Sequence, residues 1–270
     1  MTRKAKFGSD HGDPPRRIVI TGASSGLGAG LARDYAAPGT FLLLFARRID
    51  LLEQVAGDCR SRGASVEIAA LDVGEPEPLG TLLRTLDRGA PVDLVIANAG
   101  IAAPPGEAGA IAQVRTNLLG AIHTVEPLLP GMMARGRGQI ALVSSVAALR
   151  GLPDSPAYCA SKAGLRLYGE SLRAGLGPAG IDVTVITPGF FVSAMSDRFA
   201  GRRPLMVSTE RAVRLVRAGL DRRRGRIGFP GPLIGLLRVL DLLPAALGDA
   251  LVRVSRFQID PAGGASARES

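Results

Sequence analysis

The chain has 270 residues, enough for one large domain, and 46% of them are apolar, which suffices for a sizeable core and excludes disorder. Two His and two Cys exclude a zinc cluster and a disulfide scaffold, and 4% aromatics without Trp argue against base- or sugar-stacking platforms. The net charge of +9 would ordinarily suggest nucleic acid, but thirteen Arg against four acids between Arg198 and Arg256 place the basic character in the C-terminal quarter, and no recognition motif accompanies it.

Residues 1–15 are polar and charged and read as a flexible start, with no apolar core of a secretory signal. No run reaches 18 uninterrupted apolar residues, so no membrane-spanning helix is expected. The expected location is the cytoplasm, with any membrane contact peripheral and at its inner face. From residue 17 onward, short apolar runs alternate with helical spacing. Arg17–Thr21, Phe41–Phe45, Val66–Leu71, Val92–Ala97, Gln139–Ser144 and Asp182–Thr187 read as parallel strands covered on both faces. Leu51, Leu52, Val55 and Cys59 recur at helical spacing in one crossover, and Leu79, Leu82, Leu83 and Leu86 in the next. This alternation predicts an α/β fold, a Rossmann-like doubly wound parallel sheet, over residues 16–230, with a C-terminal amphipathic extension and tail over 231–270.

The first strand runs into Thr21-Gly22-Ala23-Ser24-Ser25-Gly26-Leu27-Gly28 and then the helical Ala29–Ala36. Three glycines allow a tight turn that brings backbone N–H groups to a helix N-terminus, where the helix dipole favours a pyrophosphate. The spacing is not G-x-G-x-x-G, so the common dinucleotide fingerprint is missed. Gly22, Ser24 and Gly26 also fit the G-x-S-x-G nucleophile elbow of serine hydrolases. That reading needs an acid and then a His; His123, the one downstream His, sits inside a long helical stretch.

Further on come Asn98-Ala99-Gly100 after a strand, Asn117 in a helix, Ser144-Ser145 after another strand, and Tyr158-Cys159-Ala160-Ser161-Lys162. Together with the glycine loop, Asp72-Val73 and Pro188-Gly189, this ordered set resembles the short-chain dehydrogenase/reductase family over about residues 17–195. The resemblance implies a Rossmann-type oxidoreductase with Asn117, Ser145, Tyr158 and Lys162 as the catalytic set. It gives Lys162 a contact to the nicotinamide ribose and Asn117 a water-mediated proton relay. Its spacing selects Ser145 over Ser144, which the strand places on the opposite face. Cofactor contacts are expected from Gly22, Ser24, Ser25, Gly26, Leu27, Gly28, Asp72, Val73, Asn98, Ala99, Gly100, Tyr158, Lys162, Pro188, Gly189 and Ser193. Ala97 departs from the pattern, which more often carries a second Asn there. The residues support this chemistry on their own terms. Tyr158 and Lys162, four apart, share a helix face. An ammonium beside a phenol is expected to lower the phenol toward working pH, so that Tyr158 exchanges a proton with a carbonyl or alcohol oxygen that Ser145 holds.

At the end of the second strand, where an acid would bind the ribose 2′-OH of NAD, the chain reads Phe45-Ala46-Arg47-Arg48. A guanidinium fork suits a 2′-phosphate, so Arg47 is the first candidate ligand, with Arg48 second and Ser25 as a hydroxyl donor. NADP(H) is therefore expected over NAD(H), and no metal. Phe190, Phe191 and Met195, where the family carries a mobile lid, suggest an apolar pocket wall. The expected substrate is an apolar, lipid- or steroid-like ketone or secondary alcohol. A 3-oxoacyl thioester on an acidic carrier protein and a non-catalytic NADP-binding regulator are the alternatives. In 210–257 a cationic run (Arg211, Arg214, Arg217, Arg222, Arg223, Arg224 and Arg226) precedes apolar helical stretches. Such a segment suits a homodimer interface or an interfacial membrane contact.

Overall fold

The computed structural model describes residues 16–103, 106–153, 155–193, 196, 199–200, 205–254 and 258–259. The expected flexible start, Met195 and most of the C-terminal tail lie outside them. The elements in chain order are β1 (Arg17–Thr21), α1 (Gly26–Tyr35), β2 (Phe41–Ala46), α2 (Ile49–Ser61), β3 (Ser65–Ala70), α3 (Pro76–Gly89) and β4 (Leu94–Ala97). They continue with α4 (Glu107–Val114), a π-helical turn at Arg115–Leu119, α5 (Gly120–Val125), α6 (Leu129–Arg135), β5 (Gly138–Val143) and α7 (Pro156–Leu176). After β6 (Ile181–Pro188) come β7 (Phe199–Ala200), α8 (Thr209–Asp221), β8 (Arg226–Phe229), α9 (Gly231–Asp241), α10 (Ala245–Val254) and β9 (Gln258–Ile259).

Seven strands form one parallel sheet in the order β3-β2-β1-β4-β5-β6-β8, and β7 pairs antiparallel with β9. The sheet is doubly wound, as the alternation of apolar runs and helices predicts. One core packs Ile18, Ile20, Leu42, Leu44 and Ile96 against Leu31 of α1 and Val216 of α8. The other packs Val19, Leu43, Val95, Ile140 and Leu142 against Leu83 of α3 and Leu165 of α7. Alternate side chains of each central strand thus serve opposite layers, which is why these strands are apolar almost without a break. Such a sheet opens its ligand crevice at the strand C-termini, beside the reversal of strand order between β1 and β4.

Two strand expectations change. Val66–Leu71 was expected to be covered on both faces, but β3 is an edge strand, and Val66, Ile68 and Ala69 are only half-buried because no strand lies outside them. The seventh strand, β8, has no counterpart among the six apolar runs. It lies at the other edge, where Ile227 and Phe229 face the core and Arg226 and Gly228 are exposed, so its pattern alternates and is short.

The C-terminal extension folds back as two helices. Arg150, which follows β5, binds Asp249 at 2.5 Å and Asp241 at 3.8 Å and so pins α9 and α10 beside the sheet. Leu233, Ile234 and Leu237 of α9 pack on Val146. The outward face carries Leu236, Val239, Leu242, Leu247 and Leu251, all exposed. No described helix is long and apolar enough to cross a membrane.

Candidate active site

The strand C-termini open into one cleft of about 390 Å³. At one end the β1–α1 turn supplies Gly22, Ser24, Ser25, Gly26 and Leu27. Gly22 has φ +65°, and a Cβ there would lie 2.8 Å from the Ala99 Cα, so only glycine lets the turn pass this close to the β4 loop. Gly28 does not line the cleft; a Cβ there would sit 2.4 Å from the Gly22 carbonyl oxygen, so it permits the packing of α1 on the turn. Gly28→Ala is accordingly expected to destabilise the fold by ~1–3 kcal/mol, the cost of overpacking, measured by urea unfolding. An unchanged midpoint would mean the turn can move aside.

Asn98 holds this turn from the neighbouring strand. Its Nδ2 donates to the carbonyls of Thr21 (3.0 Å) and Gly22 (3.1 Å), while the Thr21 hydroxyl accepts from the Asn98 and Ala99 amides. With the turn pinned, the first N–H groups of α1 stay directed at the cleft, as an anion site at a helix N-terminus requires. Across the cleft, Gly26 faces the segment after β6: a Cβ on it would meet the Ser193 Cβ at 3.7 Å. The glycine floor and a lining that runs from this turn to Ser193 fit a nicotinamide dinucleotide.

Arg47 and Arg48 both line the cleft but differ in partners. Arg48 reaches back to the turn and donates to Ser25 Oγ (2.8 Å) and Ser24 Oγ (3.3 Å). Arg47 leans instead toward Asp72, 3.8 Å away. The geometry therefore puts Arg48, the second candidate in the sequence reading, beside the Ser25 hydroxyl. Asp72 and Val73 also line the cleft, and Asp72 Oδ1 accepts from the Gly74 amide at 2.8 Å.

The other half of the cleft holds Ser145, Tyr158 and Lys162 together. Ser145 follows β5, and its hydroxyl accepts from the Ala147 amide at 3.2 Å and hydrogen-bonds the Tyr158 phenol. Ser144 also lines the cleft, but its hydroxyl donates to the Lys162 carbonyl at 2.7 Å. Lys162 donates Nζ to the Val143 carbonyl at 2.9 Å and lies 5.9 Å from the centre of the Tyr158 ring.

The expected lowering of the phenol does not hold in this structure. Burial pushes Tyr158 above its ordinary value, and the Ser145 hydrogen bond opposes this only in part. The ammonium is aimed at a backbone carbonyl rather than at the phenol oxygen, and burial lowers Lys162 itself to about 8. Desolvation is the largest influence on Tyr158 and acts alone on Lys162.

Asn117 is fully buried in the π-helical turn and does not line the cleft. Its amide accepts from the Ile101 N–H (2.7 Å) and donates to the Ile101 carbonyl (3.0 Å) and Ser161 Oγ (3.1 Å). It ties the loop after β4 to α7, one turn of helix from Tyr158. A Cβ on Gly100 would lie 3.2 Å from both Asn117 Oδ1 and Lys162 Nζ, so glycine there lets that loop pack closely against α7. The hydrolase reading loses its base: His123 Nδ1 meets the Val73 carbonyl at 3.0 Å, and Ser24 accepts from Arg48.

Pro188, Gly189, Phe190, Phe191 and Ser193 line the mouth of the cleft, while Met195 lies outside the described residues. The segment after β6 is tied by Ser196, whose hydroxyl donates to the Phe191 carbonyl at 2.6 Å, and by the Phe190 carbonyl, which accepts from the Val207 amide at 3.1 Å. Leu152, Ser155, Leu233 and Leu237 also line the cleft, although the residue patterns singled out none of them. Two belong to α9, so the extension contributes to the cleft; the apolar character of this stretch could be read from the chain, but not the element it covers.

The family model described as short chain dehydrogenase matches residues 16–203. An uncharacterized oxidoreductase of Mycobacterium tuberculosis is 40% identical over 246 residues, covering 86% of this chain and 95% of that protein. One from Myxococcus xanthus is 37% identical over 249 residues, covering 88% of this chain and 96% of the relative. Among solved structures, a short-chain dehydrogenase from Sphingobium yanoikuyae in complex with NADPH is similar with a TM-score of 0.74 at 25% identity, covering 94% of this chain and 99% of that one.

Proposed function

The chain belongs to the short-chain dehydrogenase family, and from that premise we propose that it is an NADP(H)-dependent oxidoreductase interconverting a ketone and a secondary alcohol on an apolar, lipid- or steroid-like substrate. The observation that carries this reading is one cleft joining the glycine turn to Ser145, Tyr158 and Lys162, with apolar walls from Val146, Ala147, Leu152, Leu233 and Leu237. A bound nicotinamide cofactor supplies the hydride. Ser145 holds the carbonyl oxygen, and Tyr158 gives it a proton in reduction or takes one from the alcohol in oxidation. Lys162 would bind the ribose side of the cofactor and keeps a positive charge near the phenol, while Asn117, buried outside the cleft, positions the loop beside them. NADPH oxidation screened over ketones, aldehydes, acyl thioesters and quinones tests the reading; turnover of none of these would overturn it.

Arg48 and Arg47 support the preference for NADP(H), with Arg48 held by the Ser24 and Ser25 hydroxyls in the more committed position. Wild-type kcat/KM is expected to favour NADPH over NADH. Arg48→Ala is expected to cut that ratio by ~10- to 100-fold, the size of one charge-assisted contact to a phosphate. Equal efficiencies with the two cofactors in the wild type would remove the assignment. The exposed leucines of α9 and α10 support a surface contact through this segment, with a second copy or with lipid. Sedimentation with and without anionic vesicles separates the two partners.

A further inference from the structure

Ser155 stands at the N-cap of α7, where a serine hydroxyl ordinarily accepts from the N–H groups of the first turn. Here it makes no such bond. The residue is only 5% exposed, and its Oγ has no hydrogen-bond partner among the described residues. Its backbone is well fixed: the amide donates to the Leu152 carbonyl at 3.1 Å, and the carbonyl accepts from the Cys159 amide at 2.9 Å. A buried hydroxyl left unpaired costs ~1–3 kcal/mol, and of the unpaired buried side-chain atoms among the described residues (on Arg17, Tyr35, Gln113, Ser155 and Arg166) only that of Ser155 belongs to a residue lining the cleft.

Its surroundings say what would satisfy it. Ser155 lines the cleft beside Leu152 and Tyr158. It precedes Tyr158 by three residues, so the two share one face of the helix. The substrate end of the cleft is otherwise apolar, and in such a pocket a few placed polar groups set orientation. Ser145 and Tyr158 are committed to the reacting oxygen, which leaves the Ser155 hydroxyl for another.

We propose that Ser155 is a specificity-determining residue that donates to a second substrate oxygen, and that the preferred substrates are apolar ketones with an oxygen function close to the carbonyl, as in a 3-oxo ester. This rests on the carbonyl-reductase reading above and narrows its substrate class. Steady-state kinetics with NADPH compare a medium-chain 2-alkanone with a 3-oxo ester of similar length, in the wild type, Ser155→Ala and Ser155→Thr. The wild type should favour the oxo ester. Ser155→Ala should lower the ratio of the two kcat/KM values by ~10- to 100-fold, chiefly through KM of the ester, and Ser155→Thr should restore it. Because the hydroxyl is unpaired, Ser155→Ala should also melt no lower than the wild type. An unchanged ratio, or an equal loss on both substrates, overturns the proposal. If the wild type turns over neither substrate, the reductase reading fails on its own. Binding of the oxo ester to the NADPH-loaded protein, followed by nucleotide fluorescence, then decides: weaker binding by Ser155→Ala upholds the contact, and equal binding removes it.

Discussion

Tyr158→Phe is expected to lower kcat by ~10²-fold or more while leaving the Kd for NADPH nearly unchanged. Only the phenol oxygen is lost, and the ring still fills its place against Ala102, Ala147, Cys159 and Leu152, so the catalytic helix keeps its packing. Ser145 would remain to hold the carbonyl oxygen but has no proton path of its own. The pH dependence has a defined sign. Burial raises the phenol, so in the free protein it stays protonated through neutral pH and is ready to donate. Carbonyl reduction should therefore be level through neutral pH and fall once the phenol ionises, whereas alcohol oxidation, which needs the phenolate, should rise with pH. Activity above a tenth of the parent in Tyr158→Phe would mean that the proton comes from elsewhere.

Much of this site could be read from the chain because its chemistry is local. The glycine turn, Ser145 and the Tyr158–Lys162 pair each lie within one strand end or one helix turn, where spacing dictates which side chains meet. What spacing could not supply was the direction in which long side chains point. Lys162 shares a face with Tyr158 as expected, yet its ammonium is drawn to the Val143 carbonyl, so the phenol is raised by burial rather than lowered by charge. Arg47 and Arg48 are adjacent, and only the placement of Asp72 and of the Ser24–Ser25 hydroxyls separates their roles.

Long-range closure was the other gap. Leu233 and Leu237 sit more than 70 residues beyond Tyr158, and nothing in their periodicity says that α9 covers the cleft mouth. Arg150 ties α9 and α10 down by pairing with Asp241 and Asp249, the acids of these two helices. The exposed surface of α9 and α10 then carries Leu236, Val239, Leu242, Leu247 and Leu251 beside Arg238. The strand β8 escaped for a related reason: an edge strand needs one buried face only, and four alternating residues after a run of Arg do not look like a core strand.

Lys162→Met should separate function from stability. The drop of the ammonium from an ordinary 10.5 to about 8 corresponds to an unfavourable burial of ~3 kcal/mol at neutral pH. Methionine fills similar space without that cost, although the Val143 carbonyl loses its donor, which returns ~1 kcal/mol or more of the gain. The variant should therefore melt above the wild type at pH 7. The sign of the pH dependence follows from linkage. Between about 8 and 10.5 the unfolded lysine is protonated and the folded one is not, so wild-type stability rises with pH there. The variant has no such group, and its advantage should shrink across that window and level off above it. Turnover should fall as far as in Tyr158→Phe, and the Kd for NADPH should rise, because the ribose contact goes with the ammonium. A variant that melts lower than the wild type at pH 7 would show that the buried ammonium stabilises the fold. An unchanged Kd would show that Lys162 does not hold the ribose, and its part in the reaction would then be confined to the phenol.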